Sequence, residues 1–299
     1  MSEYIIETKN LTKQYGAQKS VDNLNIHVRK GRIYGLLGRN GAGKTTTMKM
    51  LLGLVKPTSE EVRIFGKPLR GNRKKILPRV GSMIEAPGFY PNLTATENLR
   101  IFAGLRGIPD RHAIKDALDL VGLQYNDKKR FSQYSLGMKQ RLAIAFAIMH
   151  DPEILILDEP FNGLDPIGIA EIRSFIRHLC NGRGKTILIS SHILSEIDML
   201  ADDIGIIDHG ELLEEAGLFE LERRNSKYVH FSVSDTAQAA RILIEIFREH
   251  HFTVQDDHNL CLHNLELPVD KIVAAFVENG LGVSEVHTCK NSLEDYFRK

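Results

Sequence analysis

The 299-residue sequence has little of what marks secreted, zinc-binding or membrane-spanning proteins. It contains three cysteines in no C-x-x-C pair, Cys180, Cys261 and Cys289. An odd number at wide spacing predicts neither a disulfide framework nor a zinc site. The longest uninterrupted apolar run, 142–149, is far shorter than the ~20 residues that span a bilayer, and residues 1–10 lack the pattern of a signal peptide. We therefore expect a cytosolic chain that does not cross a membrane.

Charge of one sign is not in excess either. The sequence has 39 lysines and arginines against 38 aspartates and glutamates, which gives a net charge of +1. Nucleic-acid-binding domains usually carry a marked excess of basic residues, so this balance gives no reason to propose a nucleic-acid partner. The length suits one large domain or, more comfortably, two.

The most informative stretch is GRNGAGKT at 38–45, which follows the apolar residues 33–37 and precedes a helical pattern. It matches the phosphate-loop pattern G-x-x-x-x-G-K-[ST] at all four fixed positions, which an ordinary glycine-rich turn before a helix does not require. Glycines let backbone N–H groups point at a phosphate, and the helix N-terminus adds positive potential. Lys44 would contact the β- and γ-phosphates, and Thr45 would bind Mg²⁺ through its hydroxyl. The other predicted nucleotide-binding residues are Gly38, Arg39, Asn40, Gly41, Ala42, Gly43 and Thr46.

Chemically useful side chains also follow two later apolar segments. Residues 154–157 end at Asp158 and Glu159, and residues 185–189 lead through two serines to His192. Ligands bind at the carboxyl ends of strands in parallel sheets. Asp158 is therefore predicted to hold Mg²⁺, Glu159 to polarise the attacking water, and His192 to contact the γ-phosphate. A lone histidine is more often structural, but its place at a strand end in a chain with a phosphate loop favours catalysis.

Hydrophobic periodicity predicts an α/β fold with two domains. Residues 1–221 would form a nucleotide-binding domain with an N-terminal antiparallel β part, a mainly parallel sheet and an inserted helical subdomain at about 86–150. Residues 222–299 show the βαββαβ order of a small α+β, ferredoxin-like domain. Tyr15 lies beside the N-terminal turn, where its ring could stack on a nucleotide base or simply pack within the protein.

Five segments, in this order, resemble the ATP-binding subunit of an ABC transporter: GRNGAGKTT at 38–46, YSLGMKQR at 134–141, ILILDEP at 154–160, NGLDP at 162–166 and SSH at 190–192. The resemblance covers about residues 1–221. It implies the P-loop NTPase fold of an ABC ATPase, ATP hydrolysis coupled to transport, and ATP and Mg²⁺ as cofactors. It also places Tyr15 against the adenine.

The same resemblance implies two kinds of partner. ATPase subunits of this family pair head to tail, as a homodimer or pseudo-dimer, so that Ser135 and Gly137 of one subunit face the ATP held by the other. A chain without a spanning segment also requires separate polytopic membrane subunits, which would hold it at the inner face of the cell membrane.

Several residues depart from the usual family pattern, and three of them lie in predicted site segments. Leu136 and Met138 alter the signature sequence LSGGQ, and Glu85 stands where a glutamine is usual. An ionised carboxylate accepts hydrogen bonds and can approach Mg²⁺, but it cannot donate as an amide does. With the segment that follows it, Glu85 resembles the subgroup that exports bacitracin and lantibiotics and so protects the cell.

The function that we expect is therefore an ATPase subunit for antimicrobial-peptide export. Two alternatives stay open: an exporter ATPase for another drug or peptide, and a soluble ABC ATPase without a transport role. The second is disfavoured because the chain has neither the long coiled coils of DNA-repair relatives nor the two ATPase units of translation relatives.

Overall fold

The computed structural model describes residues 3–84, 88–108, 112–224 and 227–290. The chain divides into two units, Met1–Leu218 and Phe219–Lys299. The strands are β1 (Tyr4–Tyr15), β2 (Gln18–Leu24), β3 (His27–Arg29), β4 (Ile33–Leu37), β5 (Ser59–Ile64), β6 (Lys67–Pro68), β7 (Val80–Met83), β8 (Ile154–Leu157), β9 (Thr186–Ser191), β10 (Asp203–Asp208), β11 (Glu211–Gly217), β12 (Lys227–Val233), β13 (Phe252–Val254), β14 (Asn259–Leu262) and β15 (Val283–Lys290). The helices are α1 (Lys44–Leu51), α2 (Arg73–Ile76), α3 (Ala95–Arg106), α4 (Ala113–Leu120), α5 (Leu136–Ile148), α6 (Pro166–Arg183), α7 (Leu194–Asp198), α8 (Leu218–Arg224), α9 (Thr236–Phe247) and α10 (Val269–Glu278), with short 3-10 turns at Leu77–Arg79 and Phe131–Gln133.

The N-terminal part of the first unit is an antiparallel sheet, as the alternating pattern predicts. The strand order is β2-β1-β5-β6, and β3 also pairs with β1. Leu11 pairs with Leu24 and Ile6 with Ile64, and all four side chains are fully buried. Because side chains alternate between the faces of a strand, this sheet turns one apolar face to the core and the other to solvent.

The centre of the first unit is a six-stranded sheet in the order β11-β10-β4-β9-β8-β7. All of its neighbouring strands are parallel except the edge pair β10 and β11. Strands β4, β8 and β9 are buried along their whole length, which fits the apolar sequences of β4 and β8 and the apolar centre of β9. Leu37 pairs with Ser191, and Leu157 pairs with Ile189. The carboxyl ends of the three strands therefore lie side by side.

Helices α3, α4 and α5 form the helical insertion between β7 and β8. A capping box begins α3, in which the Thr94 side chain accepts from the Glu97 N–H and the Glu97 side chain accepts from the Thr94 N–H. Phe89, Phe102 and Phe146 pack edge to face or tilted against one another, with ring centroids 4.9–6.2 Å apart. Such aromatic contacts add stabilisation beyond that of apolar burial, so they fix the helices as a compact group.

The second unit has the strand order β13-β14-β12-β15, with every neighbouring pair antiparallel. Its elements follow one another as β12, α9, β13, β14, α10 and β15, which is the ferredoxin-like order expected from the sequence. Val229, Phe231, Leu243 and Phe276 are buried in its own hydrophobic core. The predicted fold class is thus confirmed for both units.

An arginine and a histidine join the helical insertion to the central sheet. Arg106 at the end of α3 lies with Nη1 2.8 Å from Nδ1 of His150, and Nε2 of His150 lies 3.3 Å from the carbonyl oxygen of Val80. Burial and the neighbouring Arg106 charge lower the pKa of His150 from its usual 6.5 to about 4. The imidazole is therefore neutral when the protein is folded at neutral pH.

This low pKa predicts that acid destabilises the protein through His150. Below pH 6.5 the unfolded chain binds a proton at this residue, whereas the folded chain does so only near pH 4, so stability falls as the pH drops through that window. His150→Gln removes the titrating group. Both proteins should have a lower free energy of unfolding at pH 5 than at pH 7.5. Allowing for solvent screening, we expect this decrease to be about 1 kcal/mol smaller in the variant than in the wild type. Urea unfolding at both pH values measures this difference, and equal losses would contradict the assignment.

Candidate active site

The glycine-rich loop between β4 and α1 turns tightly against neighbouring backbone. Ala42 N–H donates to the Arg39 carbonyl at 3.1 Å. Gly43, the residue before α1, has φ +110°, and a Cβ atom there would lie 2.5 Å from the carbonyl oxygen of Ser20 in β2. Gly210 N–H donates to the Ala42 carbonyl at 3.0 Å. Only glycine fits at position 43, because both its backbone angle and the adjoining main chain exclude a side chain.

Lys44 places its ammonium group inside this loop. The side chain is only 5% exposed, and Nζ donates to the carbonyl oxygens of Gly38 at 2.6 Å and Arg39 at 3.2 Å. Nζ also lies 3.2 Å from Oε1 of Glu159, an ion-pair distance without the alignment of a hydrogen bond. An ammonium has three donors and no acceptor, so its surroundings here, all oxygen atoms, match the oxygen-rich surface of a phosphate chain.

Thr45 and Asp158 bring a hydroxyl and a carboxylate together. Thr45 Oγ1 donates to Asp158 Oδ2 at 2.7 Å, and Asp158 N–H donates to the Met83 carbonyl at 2.8 Å. Within the described part of the chain, no three His, Cys, Asp or Glu side chains form a cluster that could hold a metal. Mg²⁺ does not need one, because it binds through one or two protein oxygens and keeps several waters. The Thr45 and Asp158 oxygens therefore fit Mg²⁺, and they do not form a cage for a softer metal.

Glu159 and His192 form the second pair at this edge. His192 Nδ1 lies 2.8 Å from Glu159 Oε2, and the two side chains are 34% and 20% exposed. Glu159 has φ +46°, a left-handed backbone conformation that is unusual for a residue other than glycine. Its N–H donates to Ser190 Oγ at 2.9 Å. The sequence predicts Glu159 and His192 as catalytic, and the structure places Glu159 between Lys44 and His192 as a partner of both.

A buried acid that sequence reasoning missed supports the segment that carries His192. Ser191 Oγ donates to Glu196 Oε2 at 2.7 Å and accepts from the Ile193 N–H at 2.9 Å. Burial raises the pKa of the Glu196 carboxyl, and the negative charge of Glu159 raises it further. The only sequence signal was an acid four residues after His192, on a helix of five residues.

The remaining predicted nucleotide contacts lie near the loop surface. Arg39, Asn40 and Gly41 are exposed, and Thr46 is half-buried in the first turn of α1. Tyr15 at the end of β1 is 51% exposed, with Lys13 Nζ 4.7 Å from its ring centroid. The exposed ring is available for stacking, so its contact with adenine stays a prediction. Glu85, the predicted additional Mg²⁺ residue, lies outside the described residues.

The signature segment forms a regular helix start despite its departures. Ser135 is the N-cap of α5, and its Oγ accepts from the Met138 N–H at 3.3 Å. Ser135 and Leu136 are exposed, and Gly137 lies in the first turn of the helix. Leu136 reaches the loop 162–166, where a Cβ added to Gly163 would lie 2.5 Å from Leu136 Cδ2. The substituted leucine thus contacts the neighbouring loop of the same chain.

A cavity of about 470 Å³ lies between the start of α5 and the two acids. Its lining residues are Met83, Phe89, Phe131, Leu136, Lys139, Gln140, Ala143, Asp158, Glu159, Asn162 and Gly163. Asp158, Glu159 and Lys139 are its charged lining residues, and aromatic and aliphatic side chains make up most of the rest.

This combination defines a class of protein. A glycine-rich loop with a buried lysine, followed by a hydroxyl bound to a strand-end aspartate, is the site of a P-loop nucleoside-triphosphate-binding protein. Comparison with known proteins narrows the class. The ABC transporter family model matches residues 21–162.

Relatives match far more of the chain than that segment. The bacitracin transport ATP-binding protein BcrA of Enterococcus faecalis is 54% identical over 297 residues, covering 99% of this chain and 96% of the relative. The lantibiotic transport ATP-binding protein SrtF of Streptococcus pyogenes is 44% identical over 211 residues, covering 71% of this chain and 90% of the relative.

A solved structure shows the same fold. It is a dimeric ATP-binding cassette in a post-hydrolysis state with ADP and Pi, 25% identical with a TM-score of 0.65, and the match covers 71% of this chain and 98% of that one. The chain belongs to the ATP-binding proteins of the ABC transporter family, and it is an ATPase of that family. No helix in the described residues has the length and hydropathy needed to cross a membrane.

The contact between Leu136 and Gly163 generates a stability prediction. Gly163 has φ +74° and faces Leu136, whereas Gly66 has φ +70° and no heavy atom within 4 Å of an added Cβ. Alanine at either position carries the same cost of about 1 kcal/mol for left-handed backbone, but at 163 it also meets the leucine. We expect Gly163→Ala to destabilise the protein more than the control Gly66→Ala.

The extra destabilisation at position 163 should disappear when Gly163→Ala is combined with Leu136→Ala, because the added methyl group then no longer meets the leucine side chain. Thermal unfolding of the wild type, Gly66→Ala, Gly163→Ala, Leu136→Ala and the double variant measures these differences in stability. Equal destabilisation at positions 66 and 163 would show that Leu136 does not restrict the loop.

Proposed function

We propose that this chain is the ATP-hydrolysing subunit of a transporter that exports bacitracin-type peptide antibiotics. The observation that carries the proposal is the match to the bacitracin transport protein, which extends over 297 residues and so includes both units of the chain. The match to the lantibiotic transport protein covers only 71% of this chain. A lantibiotic is therefore the second candidate cargo.

Within this proposal, Lys44 binds the β- and γ-phosphates, and Thr45 and Asp158 hold Mg²⁺. Bound Mg²⁺ would add positive charge beside the phosphate oxygens. Glu159 accepts a proton from the attacking water, for which its carboxylate at the carboxyl end of β8 is suited. His192, held by Glu159 at 2.8 Å, orients that water and donates toward the γ-phosphate.

Tyr15 would stack on adenine, and loop residues 38–46 would surround the phosphates. Glu85 would approach Mg²⁺ from the segment after β7. The same proposal includes an ATPase domain at 1–221 with a helical subdomain at about 86–150. It assigns the C-terminal domain at 222–299 a role in regulation or in bracing the dimer.

Two subunits would complete each site. Ser135 and Gly137 lie at the exposed start of a 13-residue helix, where backbone N–H groups and the helix dipole favour a phosphate. A head-to-tail dimer places this helix start over the partner's nucleotide. We propose that the dimer docks on separate polytopic membrane subunits at the cytoplasmic face of the membrane, in keeping with the transport roles in the relatives' names.

Replacing the proposed general base should separate nucleotide binding from hydrolysis. In Glu159→Gln the amide cannot take the proton of the attacking water, so we expect the rate to fall by about 10²-fold or more while ATP still binds. Glu153→Gln is the matched control, because Glu153 precedes β8 at its other end and pairs with Arg79. Phosphate release measures the hydrolysis rate of each variant, and a nucleotide-binding assay measures its ATP affinity. A Glu159→Gln rate close to that of the control would refute the assigned role.

The cargo is tested in cells. The chain is expressed with a candidate polytopic membrane subunit from the same organism in a strain sensitive to bacitracin, and the minimal inhibitory concentrations of bacitracin and of a lantibiotic are measured. We expect tolerance of bacitracin to rise several-fold, and the rise to vanish in Lys44→Ala, which lacks the phosphate contact. Protection against the lantibiotic alone would transfer the proposal to the second candidate, and protection against neither would overturn both.

A further inference from the structure

We propose that Ser190 is a positioning residue that fixes the Mg²⁺-binding Asp158 and the general base Glu159 relative to each other. The inference rests on the ATPase roles given above for those two acids. Ser190 lies in β9, next to β8, and is fully buried. In the sequence, Ser190 is marked only by its place in the SSH segment at 190–192.

The hydroxyl of Ser190 touches both acids. Its Oγ donates to Asp158 Oδ1 at 2.5 Å and accepts from the Glu159 N–H at 2.9 Å. The directions follow from chemistry, because an ionised carboxylate can only accept and a backbone N–H can only donate. One hydroxyl therefore bridges a side chain and the peptide bond that follows it.

This bridge completes the orientation of the Asp158 carboxylate. Thr45 Oγ1 donates to Oδ2 at 2.7 Å, and Ser190 Oγ donates to Oδ1. A carboxylate held at both oxygens cannot rotate freely about its terminal bond, so the oxygen that faces Thr45 keeps that direction. Ser190 lies near the carboxyl end of β9 and is itself fully buried, so this contact is shielded from solvent on the side of the serine.

The same bridge supports an unfavourable backbone angle. Glu159 has φ +46°, which persists in a non-glycine residue only where surrounding contacts impose it. Its side chain is held by His192 and Lys44, both assigned to substrate contact. The bond from Ser190 to the Glu159 N–H comes instead from a buried strand, and it can stay in place while those two groups engage substrate.

A second buried hydroxyl in the same strand provides a matched control. Thr186 is 1% exposed, and its Oγ1 accepts from the Gly31 N–H at 2.9 Å. It pairs with Ile154 at the start of β8, whereas Ser190 lies near the opposite end of β9. Thr186→Val removes a buried hydroxyl without touching either acid. It reports the general effect of such a loss on stability.

The test uses purified full-length protein and the variants Ser190→Ala, Ser190→Cys and Ser190→Thr. Alanine removes the bridge, cysteine keeps the shape with a weak donor, and threonine keeps the hydroxyl in a residue suited to a strand. Four quantities are measured: kcat, KM, the melting temperature, and ATP affinity with Mg²⁺ and with EDTA. We expect kcat to decrease from serine and threonine through cysteine to alanine, with a loss of about ten- to a hundredfold in alanine.

The binding measurements separate positioning from structural damage. In Ser190→Ala we expect unchanged ATP affinity in EDTA but a smaller gain in affinity on adding Mg²⁺, because Asp158 loses one of its two supports. Thr186→Val should lower the melting temperature without changing kcat or the Mg²⁺ effect. In a Glu159→Gln background, Ser190→Ala should reduce the residual rate far less than in the wild type, because effects transmitted through one residue are not additive.

The inference is overturned if Ser190→Ala lowers kcat no more than Thr186→Val does, or leaves the Mg²⁺ effect intact. If Ser190→Thr disturbs the packing and lowers the melting temperature, the comparison of kcat between Ser190→Cys and Ser190→Ala decides, and an equal kcat in these two variants overturns the inference. Absence of bacitracin tolerance in cells would remove the cargo proposal but leave these measurements unaffected. A wild-type protein without Mg²⁺-enhanced ATP binding would refute both the ATPase roles and this inference.

Discussion

The site depends on the parallel pairing of β4, β9 and β8. Strand β4 precedes β8 and β9 by more than a hundred residues of sequence, yet the carboxyl ends of all three strands share one edge of the central sheet. The phosphate loop leaves β4 there, the two acids follow β8, and the histidine segment follows β9. Hydrogen bonds then cross between them: Gly38 N–H donates to the Ser191 carbonyl, and the Thr45 hydroxyl donates to Asp158. Nucleotide chemistry is possible because strand pairing has already fixed these distances, and each side chain needs only local adjustment.

The features that the sequence predicts well are those that depend on neighbours in the chain. The phosphate loop is eight consecutive residues, and β4 and β8 are recognisable because strands buried on both faces are uninterrupted apolar runs. The Thr94 cap and the βαββαβ order are local patterns as well. What the sequence leaves out are contacts across long separations. Ser190 bonds to residues 31 and 32 positions away, and nothing near it in the sequence indicates which groups it meets. Leu136 likewise appears only as a departure until the structure shows its contact with Gly163.

The two neighbouring acids, Asp158 and Glu159, have different kinds of partner. Asp158 is held through both oxygens by uncharged hydroxyls, so its full negative charge stays available to a cation. Glu159 instead faces Lys44 and His192, two groups that can turn toward a phosphate chain. In the proposed mechanism, the different partners of these adjacent acids match their different roles, Mg²⁺ binding for Asp158 and proton transfer for Glu159. This division resembles other sites in which neighbouring carboxylates are assigned different functions by their surroundings.

The contact of Gly43 with the Ser20 carbonyl has a mechanical consequence. Main-chain atoms of β2, of the phosphate loop and of the turn after β10 lie against one another, and Gly210 bonds to both Ala42 and Asp22. The hydrogen bonds of this junction are made by main-chain atoms, and a side chain added at Gly43 would push against the Ser20 carbonyl. The hairpin of β1 and β2, with Tyr15 at its end, must therefore move together with the loop. The main chain that carries Tyr15 is thereby joined to the loop through the backbone hydrogen bonds that link β2, the turn after β10 and Ala42.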